Sequence, residues 1–172
     1  DAISAGTLNA QIDLLISNRK QANGLNRATR AGIAHSVISA LKGEARTAYD
    51  RRLIKKIKPL APDLIVLAGF MRILSSDFIH AFSGRIINIH PSLLPAYKGM
   101  NTHQRVLDAG EMYHGATVHY VTEALDAGEI ILQSRISIEP NEDAASLQQR
   151  IHTEEHIIYP RAIQWISEQG KR

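Results

Sequence analysis

The sequence predicts an α/β fold: a Rossmann-like, mostly parallel sheet with helices on both faces and an antiparallel C-terminal part. Apolar runs over 12–17, 63–69 and 85–90 are typical of buried parallel strands. Helical patterns separate these runs, which favours right-handed crossovers between strands of one sheet. After Pro95 two strand patterns lie close together in the chain, which indicates an antiparallel pair.

The remaining elements follow in order from periodicity and capping residues. The predicted strands are 12–17, 33–38, 63–69, 85–90, 115–122 and 129–138. The predicted helices are 24–32, 44–58, one that begins after an N-cap at Ser75, 102–109, and 144–169, which we expect to be bent or interrupted near Pro160. We expect strand 63–69 to be the most deeply buried, because it is the longest uninterrupted apolar run.

Composition limits the classes of protein. A chain of 172 residues, 44% hydrophobic and 22% charged, predicts a single globular domain over 1–172. It has no cysteine, so disulfides, thiolate catalysis and cysteine-based zinc sites are excluded. No signal-peptide pattern and no membrane-length apolar run is present, and we expect a cytoplasmic protein without membrane contact.

The net charge of +3 is mildly basic. The few aromatic residues do not interleave with the lysines and arginines, so no nucleic-acid partner is expected, whereas small anionic substrates fit. No set of histidines and acids has metal-ligand spacing, so we expect no metal. The pattern leaves open whether the protein is a monomer or a homodimer.

Asn88 and His90 are the first candidate functional pair. They lie two residues apart where strand 85–90 ends at Pro91, and alternate side chains of a strand point to the same face. Ligands of open α/β sheets bind at the carboxyl ends of the strands. An amide can stabilise an oxyanion, and an imidazole can transfer a proton. From spacing alone, a structural role for both residues is the more frequent outcome.

The segment 88–95, Asn-Ile-His-Pro-Ser-Leu-Leu-Pro, resembles the folate-dependent formyltransferases, which share an Asn-x-His pair before Ser-Leu-Leu-Pro. Residues 125–128, Leu-Asp-Ala-Gly, are similar to the family's Leu-Asp-x-Gly loop. The resemblance implies the formyltransferase fold. Further similar stretches are 66–74, 97–99, 102–103, 114–119 and 154–160. These favour the branch that formylates glycinamide ribonucleotide in purine biosynthesis, and Pro91 fits that branch.

The resemblance implies transfer of a formyl group from 10-formyltetrahydrofolate. Asn88, His90 and Asp126 would be catalytic, with Asp126 beside His90, where a carboxylate favours the imidazolium. The folate would contact Arg46, Met71, Arg72, Ile73, Leu74, Asn88, Val121 and Asp126. The ribonucleotide would contact Gly69, Pro91 and Glu155. Taken alone, Asp126 could equally be a loop acid in an Asx-turn, and Arg46 an exposed helix arginine.

Two departures from the family pattern stand out. The family opens with a strand and a phosphate-binding loop, and the resemblance implies that this sequence starts inside the helix that follows them. His152 stands where glutamine is common. For His119, core packing and a supporting role in the site remain open. The alternatives are a methionyl-tRNA or sugar-nucleotide formyltransferase, or a non-catalytic folate- or nucleotide-binding module.

Overall fold

The structure, a computed structural model, describes residues 1–169, which form six strands, five α-helices and one short 3-10 helix. The strands are β1 Leu15–Ser17, β2 His35–Val37, β3 Ile65–Leu67, β4 Ile86–His90, β5 Tyr113–Tyr120 and β6 Ile130–Ser137. The α-helices are α1 Asn23–Arg30, α2 Arg46–Ile57, α3 Ser76–Ala81, α4 Thr102–Asp108 and α5 Ala144–Gln169. The predicted α/β class is therefore confirmed. No helix within 1–169 is both long enough and apolar enough to cross a membrane.

The strands form two sheets, so the prediction of one sheet holding 12–17, 63–69 and 85–90 is wrong. β1 pairs in parallel with β2 only, and the second sheet has the order β3-β4-β5-β6. Alternation of strands and helices indicates parallel strands, but it does not specify which strands are hydrogen-bonded neighbours. β1 forms its backbone bonds with the chain around β2, for example from Leu15 N to Ala34 O at 2.9 Å.

One compact unit comprises residues 10–63 and 74–83 and holds β1, β2 and helices α1–α3. Its core includes Tyr49 and Leu53 of α2 and Phe78 of α3. The predicted N-cap is confirmed, because the Ser75 side chain accepts a hydrogen bond from the Phe78 amide. The buried carboxylate of Asp50 accepts from the Ser75 amide at 2.6 Å, which fixes the start of α3.

The other unit comprises residues 1–9, 64–73 and 84 onward, and contains the four-stranded sheet, α4 and α5. β3 and β4 are parallel, whereas β4–β5 and β5–β6 are antiparallel, as predicted for the C-terminal part. Strand 63–69 is not the deeply buried strand we expected. Only Ile65–Leu67 is strand, and Val66 is 43% exposed, because β3 is the edge strand of this sheet.

The two faces of this sheet differ in chemistry because side chains alternate along each strand. Ile87, Ala116 and Val118 lie on the apolar face, in one core cluster with Leu147 and Ile151 of α5. The alternate positions carry polar residues: Asn88 and His90 on β4, Thr117 and His119 on β5, and Gln133 on β6. The helix α5 thus covers the apolar face, and the polar residues are gathered on the other.

Candidate active site

Asn88 and His90 lie next to each other on the polar face of the sheet. The antiparallel register places His119 opposite Asn88 and Thr117 opposite His90. The isoleucines between them, such as Ile87, point into the core, so the β-branched run that forms the strand also orients the two polar side chains. Four polar side chains therefore converge on one small area.

Asp126 reaches His90 from the loop that follows β5. Its Oδ2 lies 3.5 Å from His90 Nδ1, and the two side chains are only 9% and 7% exposed. The loop turns back through Asp126 itself, whose φ of 45° lies in the left-handed region that aspartate tolerates. At Gly128 a Cβ would collide with the carbonyl of Tyr120, so the loop can pass this point only with glycine.

Both ring nitrogens of His90 face acceptors. Nε2 lies 3.0 Å from the carbonyl oxygen of Tyr97, and Nδ1 faces the carboxylate of Asp126 at 3.5 Å. A neutral imidazole has one N–H and can donate to one of them, whereas a doubly protonated ring can donate to both. Both nitrogens of the His90 ring therefore have an acceptor within 3.5 Å.

His119 combines the two roles that the sequence left open. It is 2% exposed, and burial lowers its pKa, so the neutral ring is favoured. Its Nδ1 donates to the carbonyl of Tyr120 at 2.8 Å, which leaves the Nε2 lone pair facing Asn88 Nδ2 at 3.5 Å. His119 is thus packed in the sheet and also orients the Asn88 amide, so that its second N–H is available to a ligand.

The segment after β4 is anchored by two residues that sequence reasoning missed. Thr117 Oγ1 donates to the carbonyl of Ser92 at 2.6 Å and accepts from the Leu94 amide at 3.1 Å. Gln133 Nε2 donates to Leu94 O at 2.9 Å and to Thr117 Oγ1 at 2.8 Å. The Leu94–Pro95 peptide bond is cis. The period of two that places His119 on this face also places Thr117 there, so the sequence predicts the face on which Thr117 lies but not its partners.

The predicted folate contacts lie in several places. Asn88, Asp126 and Val121 lie in the sheet unit, where the Val121 amide donates to Ile86 O at 2.9 Å. In the segment after β3, Met71 and Ile73 are 75% and 57% exposed, a degree of exposure that suits contact with a ligand. Arg72, between them, is half-buried.

Two further predicted folate contacts belong to the unit that holds α1–α3. Arg46 is the first residue of α2 and is exposed, whereas the Leu74 side chain is 7% exposed.

The predicted ribonucleotide contacts are at the ends of β3 and β4 and on α5. Gly69 follows β3 with a φ of 63°, and Pro91 follows β4 directly. Glu155 is half-buried on α5, and burial raises the pKa of its carboxyl group. One turn later, Tyr159 donates through its hydroxyl to Leu67 O at 2.6 Å, which fixes this part of α5 against the end of β3. Within residues 1–169 no group of three histidines or acids is arranged to hold a metal ion.

A family model described as formyl transferase matches residues 1–163. The phosphoribosylglycinamide formyltransferase of Escherichia coli strain K12 is 44% identical over 168 residues, which are 98% of this chain and 79% of that protein. The trifunctional purine biosynthetic protein adenosine-3 of Drosophila melanogaster is 48% identical over 160 residues, which are 93% of this chain and 12% of that much longer protein.

Solved structures of similar proteins have the same fold. The phosphoribosylglycinamide formyltransferase from Coxiella burnetii, in complex with CHES, superposes with a TM-score of 0.91 at 49% identity, covering 98% of this chain and 79% of its own. Glycinamide ribonucleotide transformylase 1 from Symbiobacterium toebii superposes with a TM-score of 0.94 at 38% identity, with the same two coverages of 98% and 79%.

Proposed function

Since this chain belongs to the formyl transferase family, we propose that it transfers a formyl group from 10-formyltetrahydrofolate to the amine of glycinamide ribonucleotide, a step of purine biosynthesis. The observation that carries the proposal is the cluster of Asn88, His90 and Asp126, with His90 Nδ1 and Asp126 Oδ2 3.5 Å apart. It occurs in a chain 44% identical to a phosphoribosylglycinamide formyltransferase. The names of such relatives support a small-molecule acceptor, the phosphoribosylglycinamide that they specify.

The reaction moves one formyl group and one proton. The amine of the ribonucleotide attacks the formyl carbon, the bond from that carbon to the folate nitrogen breaks, and the amine proton ends on that nitrogen. Asn88 donates its free N–H to the formyl oxygen as negative charge develops there. His90 delivers the proton, and the Asp126 carboxylate, 3.5 Å from its Nδ1, orients the ring.

The donor set fits this chemistry because formyl transfer needs an N–H donor and a proton carrier at one carbon. His119 orients the Asn88 amide, and the Tyr97 carbonyl orients the His90 ring. We assign folate contacts to Asn88, Asp126 and Val121, to Met71, Arg72 and Ile73 after β3, and to Arg46 and Leu74.

For the acceptor we assign contacts to Gly69, Pro91 and Glu155. Glu155, as a half-buried carboxylate, would accept hydrogen bonds from ribose hydroxyls. A bound sugar then supplies the donors that the buried carboxylate needs.

Acceptor specificity tests the proposal directly. The purified protein is incubated with 10-formyltetrahydrofolate and, in parallel, with glycinamide ribonucleotide, methionyl-tRNA or an amino sugar nucleotide, and formylated products are identified by mass spectrometry. We expect product from glycinamide ribonucleotide alone. Formylation of another acceptor, or folate binding without turnover, would overturn it.

Asn88→Asp replaces the amide donor by a carboxylate of the same shape and should lower kcat by on the order of a hundredfold. The matched control is Asn141→Asp, at an exposed turn position, which should leave the rate unchanged.

A further inference from the structure

The backbone between β4 and α4 contacts both members of the His90–Asp126 pair. The carbonyl oxygen of Tyr97 accepts from His90 Nε2 at 3.0 Å. Two residues later, the Gly99 amide donates to Asp126 Oδ2 at 2.9 Å, and this is the same oxygen that faces His90 Nδ1. A shift of segment 97–101 would therefore move the imidazole and the carboxylate relative to each other.

Segment 97–101 does not hold its shape by backbone preference. Tyr97 has a φ of 53°, in the left-handed region that is unfavourable for a bulky residue, whereas Asn101, with a φ of 57°, is of a residue type that tolerates this region. Gly99 has a φ of 80° and adopts it without a Cβ penalty. A segment that holds Tyr97 in this conformation requires other contacts to keep it in place.

Side chains beyond the reacting groups supply these contacts. The Tyr97 hydroxyl donates to Glu111 Oε1 at 2.7 Å. Arg105 Nη1 donates to the carbonyl of Lys98 at 2.7 Å and to that of Met100 at 3.3 Å. The Arg105 guanidinium also lies 5.4 Å from the centre of the Tyr97 ring. We call Tyr97, Arg105 and Glu111 the clamp.

The clamp is mostly on the surface. Arg105 and Glu111 are exposed, and polar contacts at such positions contribute little to the free energy of unfolding. These contacts nevertheless affect the site, because they fix segment 97–101, whose backbone is hydrogen-bonded to His90 and Asp126. Errors of about 1 Å in such geometry reduce rates by on the order of a hundredfold.

We propose that Arg105 and the Tyr97–Glu111 hydrogen bond are positioning groups for formyl transfer, which hold segment 97–101 so that its backbone aligns His90 with Asp126. None of the clamp side chains touches the reacting atoms in this assignment. The inference rests on the proposed function for its kinetic consequence, but the alignment of His90 can be measured without turnover.

The kinetic test uses Arg105→Gln and Tyr97→Phe, each of which removes clamp hydrogen bonds. We expect each to lower kcat about tenfold, with KM for both substrates within about twofold of wild type. The Tm should change little. Arg161→Gln, at an exposed arginine of α5, is the matched control and should retain the wild-type kcat. Arg105→Lys keeps one donor and should recover most of the loss.

Two further measurements separate positioning from a general structural effect. In an Asp126→Asn background, Arg105→Gln should lower kcat by much less than tenfold, because it acts through the His90–Asp126 pair, which Asp126→Asn has already disrupted. The ring-nitrogen NMR signals of His90 should differ from wild type in Arg105→Gln and match it in Arg161→Gln.

If wild type transfers no formyl group, the proposed function is wrong, and the NMR signals still decide the positioning role. Unchanged kcat with unchanged His90 signals in Arg105→Gln, or the full tenfold loss in the Asp126→Asn background, would overturn the positioning role itself.

Discussion

His90 and His114 lie in the same compact unit and are 6% and 1% exposed, but their ring nitrogens face different partners. His90 lies between a carbonyl and a carboxylate, both acceptors. His114 Nε2 instead meets Nδ1 of His103 at 3.0 Å, where only one of the two rings can donate. Burial, and secondarily His103, lowers the pKa of His114 to about 4. Burial thus favours the neutral ring of His114, and what distinguishes His90 is that both of its ring nitrogens face acceptors.

The largest expected effect comes from removing the acceptor charge beside His90. Asp126→Asn keeps the shape of the side chain and should lower the single-turnover rate by on the order of a hundredfold or more. Folate affinity should stay within a few-fold of wild type, because the interaction strengthens in the transition state. Rapid-quench rates and equilibrium titration with a folate analogue measure the two quantities. Asp63→Asn, at an exposed position, is the control. An Asp126→Asn enzyme with normal turnover would mean that another group holds the proton carrier.

The second prediction asks whether His90 and Asp126 act as one unit. His90→Ala should also lower the single-turnover rate strongly. Since both residues serve one proton and lie 3.5 Å apart, the double variant should lose less than the product of the two single losses. Single-turnover rates of the four proteins measure the coupling. Fully multiplicative losses would show that Asp126 acts on another part of the reaction.

How far the sequence predicts this site depends on the range of the interaction. Asn88 and His90 follow from the period of two along one strand, and the N-cap Ser75 follows from local pattern. Asp126 was identified only through a family motif, because spacing alone does not show that its loop turns back to His90.

Contacts between distant segments are where sequence reasoning fails. The roles of Thr117 and Gln133 depend on the register of β4, β5 and β6, which one sequence does not specify. The sequence also does not specify which strands pair. For this reason it predicts neither the pairing of β1 with β2 alone nor the exposure of Val66 on an edge strand. The backbone contacts of Tyr97 and Gly99 carry no side-chain signature at all.

The third prediction concerns His114, whose pKa burial lowers although the carboxylate of Glu142 partly opposes the shift. Because the pKa of His114 is about 4 when folded and about 6.5 when unfolded, the unfolded state binds more protons as pH falls below 6.5. The free energy of unfolding should therefore fall by roughly 2 kcal/mol between pH 7 and pH 5 through this residue.

Urea unfolding at the two pH values measures this change. In His114→Gln the difference in the free energy of unfolding between pH 7 and pH 5 should be smaller by about 2 kcal/mol. In His35→Gln, at an exposed position on β2, this difference should equal that of the wild type. Burial also lowers the pKa of His103 and His119, so part of the pH dependence should remain in His114→Gln. A difference as large as that of the wild type would assign the acid sensitivity to other groups.

The smallest expected effect concerns Glu155, which extends the comparison to a half-buried acid. Burial raises its pKa, and the nearby His156 only partly opposes this. As pH rises through the unfolded value of about 4.3, the unfolded state releases its proton first, so ionisation of Glu155 destabilises the fold above that pH. Glu155→Gln should therefore raise the Tm at pH 7, on the order of 1 °C, and the difference should vanish near pH 3.5. Scanning calorimetry at both pH values measures this change in Tm, with the exposed Glu129→Gln as control.

If Glu155 also binds ribose, the more stable Glu155→Gln variant should have a higher KM for the ribonucleotide and an unchanged KM for the folate. A variant with wild-type KM for both substrates would remove Glu155 from the acceptor site while leaving the stability argument intact.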